Sequence, residues 1–231
     1  MGSSTVNSKQ IEVQRIVDAL SKAIAQHRLR PGTRLIEAQI VDALKANRNH
    51  VQSALQRLAL QRIVTIEPNR GALVSQPTAK EARDVFAARR AIEAAIVKSI
   101  TPDAMRQNRQ RIANHMRNER KATSASDRRD IVRELSEFHL ILGEICGNAV
   151  LAEILGNLMV RSSLIVALYQ RNDHPACASD EHEQIITALE RGDHLAAVQV
   201  MIEHLDELEA QLALEELAEP EADLKQILGG L

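Results

Sequence analysis

Aromatic residues make up 1% of this 231-residue chain, with no Trp, one Tyr and two Phe. Phe86, Phe138 and Tyr169 cannot fill a core, so packing falls to Leu, Ile, Val and Ala, which suits helices better than an aromatic-rich sheet. The same scarcity argues against single-stranded nucleic acid, whose binding relies on stacking. Two cysteines, Cys146 and Cys177, form no disulfide framework. No apolar run is read as approaching the 18 residues of a membrane span, and Met1 to Gln10 lacks the apolar stretch of a signal peptide. The expectation is a cytoplasmic protein with no membrane partner.

Charge is present but unevenly divided. The net of −2 combines a head, residues 1–77, with 11 Lys and Arg against 5 Asp and Glu, and a remainder with 18 against 26. A basic head on an acidic body suits contact with a polyanion.

Periodicity divides the chain into four segments: a loose start at 1–10, a unit at 11–77, a second unit at 78–217 and a loose tail at 218–231. Ile11, Val13, Ile16, Val17, Leu20 and Ile24 sit at helical spacing, and Pro31-Gly32 turns the chain. A second helix covers Glu37–Leu44. Asn47 is an N-cap for a third, whose apolar face is Val51, Ala54, Leu55 and Leu58. Val64 to Ile66 and Ala72 to Val74 flank a turn and read as a two-stranded hairpin. The head is therefore a winged helix-turn-helix of three helices plus a two-stranded wing. Beyond Pro77 no strand pattern appears. Thr78 and Glu81 make a capping box, and Thr101-Pro102, Gly147-Asn148 and Gly192-Asp193 punctuate further helices. The fold class is mainly α, the second unit being an all-α antiparallel bundle whose last helix is expected at about 194–217. A loop is expected over Arg171–Ser179.

A helix that reads duplex DNA needs short polar or cationic groups near its N-terminus. Asn47, Arg48, Asn49 and Gln52 qualify: arginine bridges guanine O6 and N7, and Asn or Gln pairs with adenine. Arg34 before the second helix, and Arg70 with Gly71 at the wing tip, are candidates for the DNA backbone or minor groove. In the second unit His139, His182 and His204 each lie on the apolar stripe of a different helix. One such histidine is usually core. Three on three helices of one bundle have the donor set of a zinc, nickel or manganese site. His115, His174 and His194 fall in polar or loop settings and are set aside.

Three stretches resemble the DNA-binding domain of the GntR family: Leu29 to Glu37, Asn47 to Leu58 and Pro68 to Val74. The family's Ser-Arg-Thr-Pro is Asn47-Arg48-Asn49-His50 here, and its second arginine is Gln52, so the usual operator is not implied. Val85 to Glu93, Phe138-His139, Asp180 to Leu189 and Met201 to Leu205 resemble the family's FCD effector domain. The resemblance implies a homodimeric regulator, more often a repressor, that binds a palindromic double-stranded operator. It further implies a small carboxylate effector held by Arg89, beside a metal on three histidines and an acid one turn before the first. That acid is Leu135 here, which predicts weakened metal binding. Two other classes stay open on the residues alone: a metal-dependent hydrolase, since three His plus water resembles catalytic zinc, and a helical protein–protein scaffold.

Overall fold

The computed structural model describes residues 3–68, 70–125, 128–170 and 179–214. Helix α1 (Ser3–Ala25) starts inside the stretch expected to be loose. His27 then takes a left-handed backbone, φ 54, and turns the chain. Helix α2 (Glu37–Leu44) stops at Lys45 in the same left-handed region, φ 50. Helix α3 (Arg48–Leu60) starts where predicted, the Asn47 side chain accepting from the Asn49 amide. The wing is β2 (Val64–Glu67) against β3 (Gly71–Val74). Gly71 has φ +81, a conformation that glycine adopts without strain.

The expected two-stranded wing gains a third strand, β1 (Arg34–Leu35), giving the antiparallel order β1-β3-β2 with Arg34 opposite Leu73. Two residues are too few to alternate visibly, so only the tertiary pairing reveals them.

Among the described residues six further helices follow: α4 (Ala79–Ser99), α5 (Pro102–Ser124), α6 (Arg128–Ile145), α7 (Ala149–Tyr169), α8 (Ser179–Glu190) and α9 (His194–Ala210). Thr78 and Glu81 form the capping box that opens α4, and Pro102 opens α5 behind the Thr101 cap. Helix α9 ends earlier than the periodicity suggests. Leu212 instead bridges to Gln170, and the Ala213 amide donates to the Tyr169 carbonyl. The expected tail at 218–231 and all but the last residue of the 171–179 loop lie outside the described residues.

The apolar residues form three clusters. One fills the head between α1, α2, α3 and the sheet; it includes Leu164 of α7. A second fills the bundle around Phe138, Leu142, Ile185 and Met201. The third seals the junction, where Phe86 and Val85 meet Leu158, Ile165, Leu212 and Leu214. Helix α7 thus serves all three. Among the described residues it is the one helix long and apolar enough to cross a membrane, which corrects the expectation that no such run exists. Packing accounts for part of the composition, since α7 buries apolar residues toward three other helices, while Val150, Ile154 and Leu168 stay exposed. It packs on α1, α4 and α6, and buries Leu155, Leu158, Met159, Leu164 and Ile165.

Polar contacts bind α7 to the head as well. Ser163 donates to the Ala25 carbonyl at 2.9 Å, and the His27 ring donates to the Ser163 carbonyl across 3.0 Å. Asn157 donates to the Gln61 carbonyl at 3.2 Å, and the Tyr169 hydroxyl to the Pro77 carbonyl at 2.9 Å. Leu164→Ala should therefore open a cavity in the core of the head rather than of the bundle. The expected cost is about 2–5 kcal/mol. It should appear in hydrogen exchange as lost protection in α1 and α3 with α5 and α8 unchanged. Equal loss in both units would show that α7 does not join the two cores.

Candidate functional site

The residues expected to meet DNA are all exposed on the head. Asn47, Arg48, Asn49 and Gln52 are exposed at the start of α3; Arg34 is exposed on β1, and Arg70 and Gly71 at the tip of the wing. Two of them are tethered by a residue that sequence reasoning did not single out. Glu37, at the start of α2, accepts from Arg48 Nε at 3.1 Å and from Gln52 Nε2 at 3.0 Å through the same oxygen. Arg70 is similarly tied to Glu67 at 3.3 Å. Arg48 and Arg70 keep side-chain exposures of 75% and 77%. Pairs this wet contribute about 0–1 kcal/mol, so either arginine can leave its carboxylate for a phosphate or a base at little cost.

In the bundle, α6, α8 and α9 deliver His139, His182 and His204 to one point, with 3%, 0% and 1% of each residue exposed. Their ring nitrogens include a set lying within 4.8 Å of one another. Each ring is held from behind by a carboxylate. Nδ1 of His139 donates to Glu93 on α4, Nδ1 of His182 to Glu119 on α5 at 2.8 Å, and Nδ1 of His204 to Glu181 on α8 at 2.5 Å. Carboxylate–imidazole pairs of this kind fix the tautomer and leave Nε2 as a lone-pair donor. The Nε2 atoms of His139 and His204 face each other at 3.3 Å, and His182 Nε2 is buried with no hydrogen-bond partner. Facing lone pairs repel unless a cation lies between them, so the donor set fits a divalent metal.

Beside the histidines is a cavity of about 60 Å³, lined by Arg89, Leu135, Ser136, Ser162, Ser163 and the three rings among others. Leu135 presents an alkyl group where a ligand acid was sought. Arg89 is 2% exposed. Its Nε donates to Glu93 at 2.7 Å and its Nη1 to Ser162 Oγ at 2.9 Å, while Nη2 is buried without a partner. An unsatisfied guanidinium N–H on a cavity wall is the group a carboxylate would complete.

Burial alone would push the Glu93 carboxyl up, but the charges of Arg89 and His139 together with their hydrogen bonds hold it down at about 2. Burial brings His139 to about 4 against the opposing pull of Glu93, and His182 to about 3 against Glu119. Both rings are therefore neutral near pH 7, the form that binds metal.

Sequence reasoning placed the three histidines but missed Glu93, Glu119 and Glu181. A signal existed for Glu119, a carboxylate on the apolar stripe of α5 in line with Ile112 and Met116. His115, expected in a polar setting, is 6% exposed, its Nε2 3.4 Å from Glu119. It looked polar because its neighbours on the other face of α5 are Arg and Asn. His174 lies outside the described residues.

Residues 12–74 match the family described as bacterial regulatory proteins, gntR family, and residues 84–207 match the FCD domain. The HTH-type transcriptional repressor RspR of Escherichia coli K12 is 24% identical over 206 residues, 88% of this chain and 90% of that protein. A solved transcriptional regulator GntR from Rhodococcus sp. RHA1 is 27% identical with a TM-score of 0.73, covering 86% of this chain and 96% of its own. E. coli McbR/YncC, at 18% identity, TM-score 0.74 and coverage of 86% and 95%, shares the fold.

The depressed histidine values predict a pH dependence. The unfolded chain binds protons below about pH 6.5 that buried His139 and His182 refuse until about 4 and 3, so acid favours unfolding. Their contribution should be fully present above pH 6.5 and decline below it, by up to about 1.4 kcal/mol per pH unit for each ring. Urea unfolding in chelator at pH 7.5, 5.5 and 4.5 measures this. A flat profile would mean that the rings are already protonated when folded.

Proposed function

Since this chain belongs to the FCD-bearing GntR family and is a DNA-binding transcriptional regulator rather than an enzyme, we propose that it is a cytoplasmic, effector-released repressor. It binds a palindromic duplex operator as a homodimer, through Arg34, Asn47, Arg48, Asn49, Gln52, Arg70 and Gly71. Its bundle holds a small carboxylate at a divalent metal on His139, His182 and His204. The repressor reading is supported by RspR, whose name carries that activity.

The observation that carries the effector reading is the meeting of two unsatisfied features on one cavity: three imidazoles with converging nitrogens and the buried, unpartnered Nη2 of Arg89. When bound, the metal supplies a positive centre to which carboxylate oxygens coordinate. Arg89 orients the same anion by its planar fork, and Ser162 fixes the guanidinium. By this measure a water needs roughly 10–15 Å³, so a 60 Å³ space admits a few waters or one small organic acid. Leu135, Val132, Met159 and Leu208 face its carbon end.

The route to DNA is short. Ser162 touches Arg89, and the next residue, Ser163, holds the end of α1. A change in the Arg89 partner set moves a helix that is also a wall of the head.

Two experiments test this. An operator selected from genomic fragments should be bound with half-sites about one turn apart, roughly 10 base pairs, and with steep loss of affinity in salt. Arg48→Ala should cost about 1–3 kcal/mol and relax specificity, whereas Arg70→Ala should weaken operator and scrambled duplex alike. Normal operator binding by Arg48→Ala would refute the recognition-helix assignment. Separately, zinc, nickel or manganese should raise the melting temperature of chelator-treated protein. Each single His→Ala variant should abolish the rise. Arg89→Ala should keep DNA binding and lose release by a carboxylate. Release that survives in Arg89→Ala would leave that arginine a structural role only.

A further inference from the structure

Imidazoles are neutral ligands. A divalent ion held by three of them would place two uncompensated positive charges beside the Arg89 guanidinium in a core that excludes water. Unpaired charge is expensive there. The groups in direct contact with the rings answer that demand. Glu93 and Glu119 are 1% and 0% exposed, and the Glu181 side chain is 22% exposed. Three carboxylates against one guanidinium leave two negative charges over, the charge that one divalent ion balances. Glu119 is the informative member. Glu93 is already paired with Arg89, and Glu181 is reached by water, but Glu119 meets only rings: His182 at 2.8 Å and His115 at 3.4 Å. Its second oxygen, Oε1, is buried with no hydrogen-bond partner. An ionised oxygen left unpaired in the core makes sense as part of a charge balance with something the described residues do not supply.

We infer that Glu119, together with Glu93 and Glu181, is a positioning residue whose negative charge replaces, one bond further out, the carboxylate ligand absent at Leu135. This inference rests on the metal reading above. In this reading the charge lost at Leu135 is retained, delivered through the imidazole N–H groups instead of directly to the ion. Carboxylates hydrogen-bonded to ligand imidazoles raise the basicity of the ring, and losing one costs roughly 10–100-fold in metal affinity.

Glu119→Gln separates charge from shape, because its amide oxygen can still accept from His182 Nδ1–H. Zinc and nickel affinities of the folded protein would be measured at low temperature by competition with a chromophoric chelator. The expected result is a fall of roughly 10–100-fold. The visible spectrum of the cobalt-loaded protein should be nearly unchanged, since three imidazoles still coordinate. Glu181→Gln should act in the same direction but less, its charge being screened by water. It carries the test alone if Glu119→Gln does not fold. Wild-type affinity in the Gln variants would overturn the inference, and so would a lowered melting temperature in chelator with unchanged affinity, which is the mark of packing alone. A wild-type protein that takes up none of the metals overturns the metal reading itself, and this inference with it.

Discussion

Three glutamates sit against three histidines in a core built mainly of aliphatic side chains, and the bundle is arranged around making that tolerable. A lone buried carboxylate would take up a proton or drive the core open. Here each one is met by an imidazole N–H, and Glu93 by a guanidinium as well. The six partners come from five different helices: α4 and α5 give Glu93 and Glu119, α6 gives His139, α8 gives Glu181 and His182, and α9 gives His204. None of these three carboxylate–imidazole pairs forms within one helix. The network therefore specifies how the helices stand relative to one another, which aliphatic side chains alone specify poorly, since they tolerate repacking at similar volume. Phe138, one of two phenylalanines in the chain, lies flat on His182 with ring centroids 3.7 Å apart. It walls off the ring face that would otherwise admit water.

Helix α7 contributes none of these six groups, yet it touches both their cavity and the head. It closes the cavity with Met159, Ser162 and Ser163, and it presents Leu164 to the core of the DNA-binding unit. Successive residues of a helix point about 100° apart. Ser162, Ser163 and Leu164 therefore face three directions: toward Arg89, toward the end of α1 and into the aliphatic core beneath α3. A rotation or slide of α7 that suits an occupied cavity cannot leave the seat of α1 untouched. Close packing transmits such a shift instead of absorbing it.

Much of the head was legible in the residues because its signals are local. Asn47 as a cap, Pro31-Gly32 as a turn and the short β-branched and apolar runs of the wing depend on neighbours in the chain. Strand β1 was not legible, because a two-residue strand exists only through its partner β3. In the bundle, the three histidines stood out as polar residues on apolar stripes, but a stripe says only that a side chain points inward. Which carboxylate waits there is a property of the packing. Glu181 precedes His182 in sequence yet serves His204, 23 residues on. No spacing rule announces such an exchange. The apolar character of α7 was underestimated because Glu153 and Arg161 interrupt the run in sequence, although neither is buried in the fold.

The division of charge along the chain has a related explanation. The head carries more basic than acidic residues, and Glu37 and Glu67 hold exposed Arg48 and Arg70 by single, wet contacts. The bundle is acidic partly because it keeps carboxylates inside. A surface carboxylate adjusts to salt and solvent; a buried one makes a lasting demand for positive charge. The same residue type therefore performs opposite tasks in the two units. Glu37 holds Arg48 by one contact on a side chain that stays 75% exposed and is easily exchanged, whereas Glu119 is buried with an oxygen that meets no hydrogen-bond partner among the described residues. Pairing is weak and exchangeable where water competes for both partners, and strong where it does not. Burial is what decides between them.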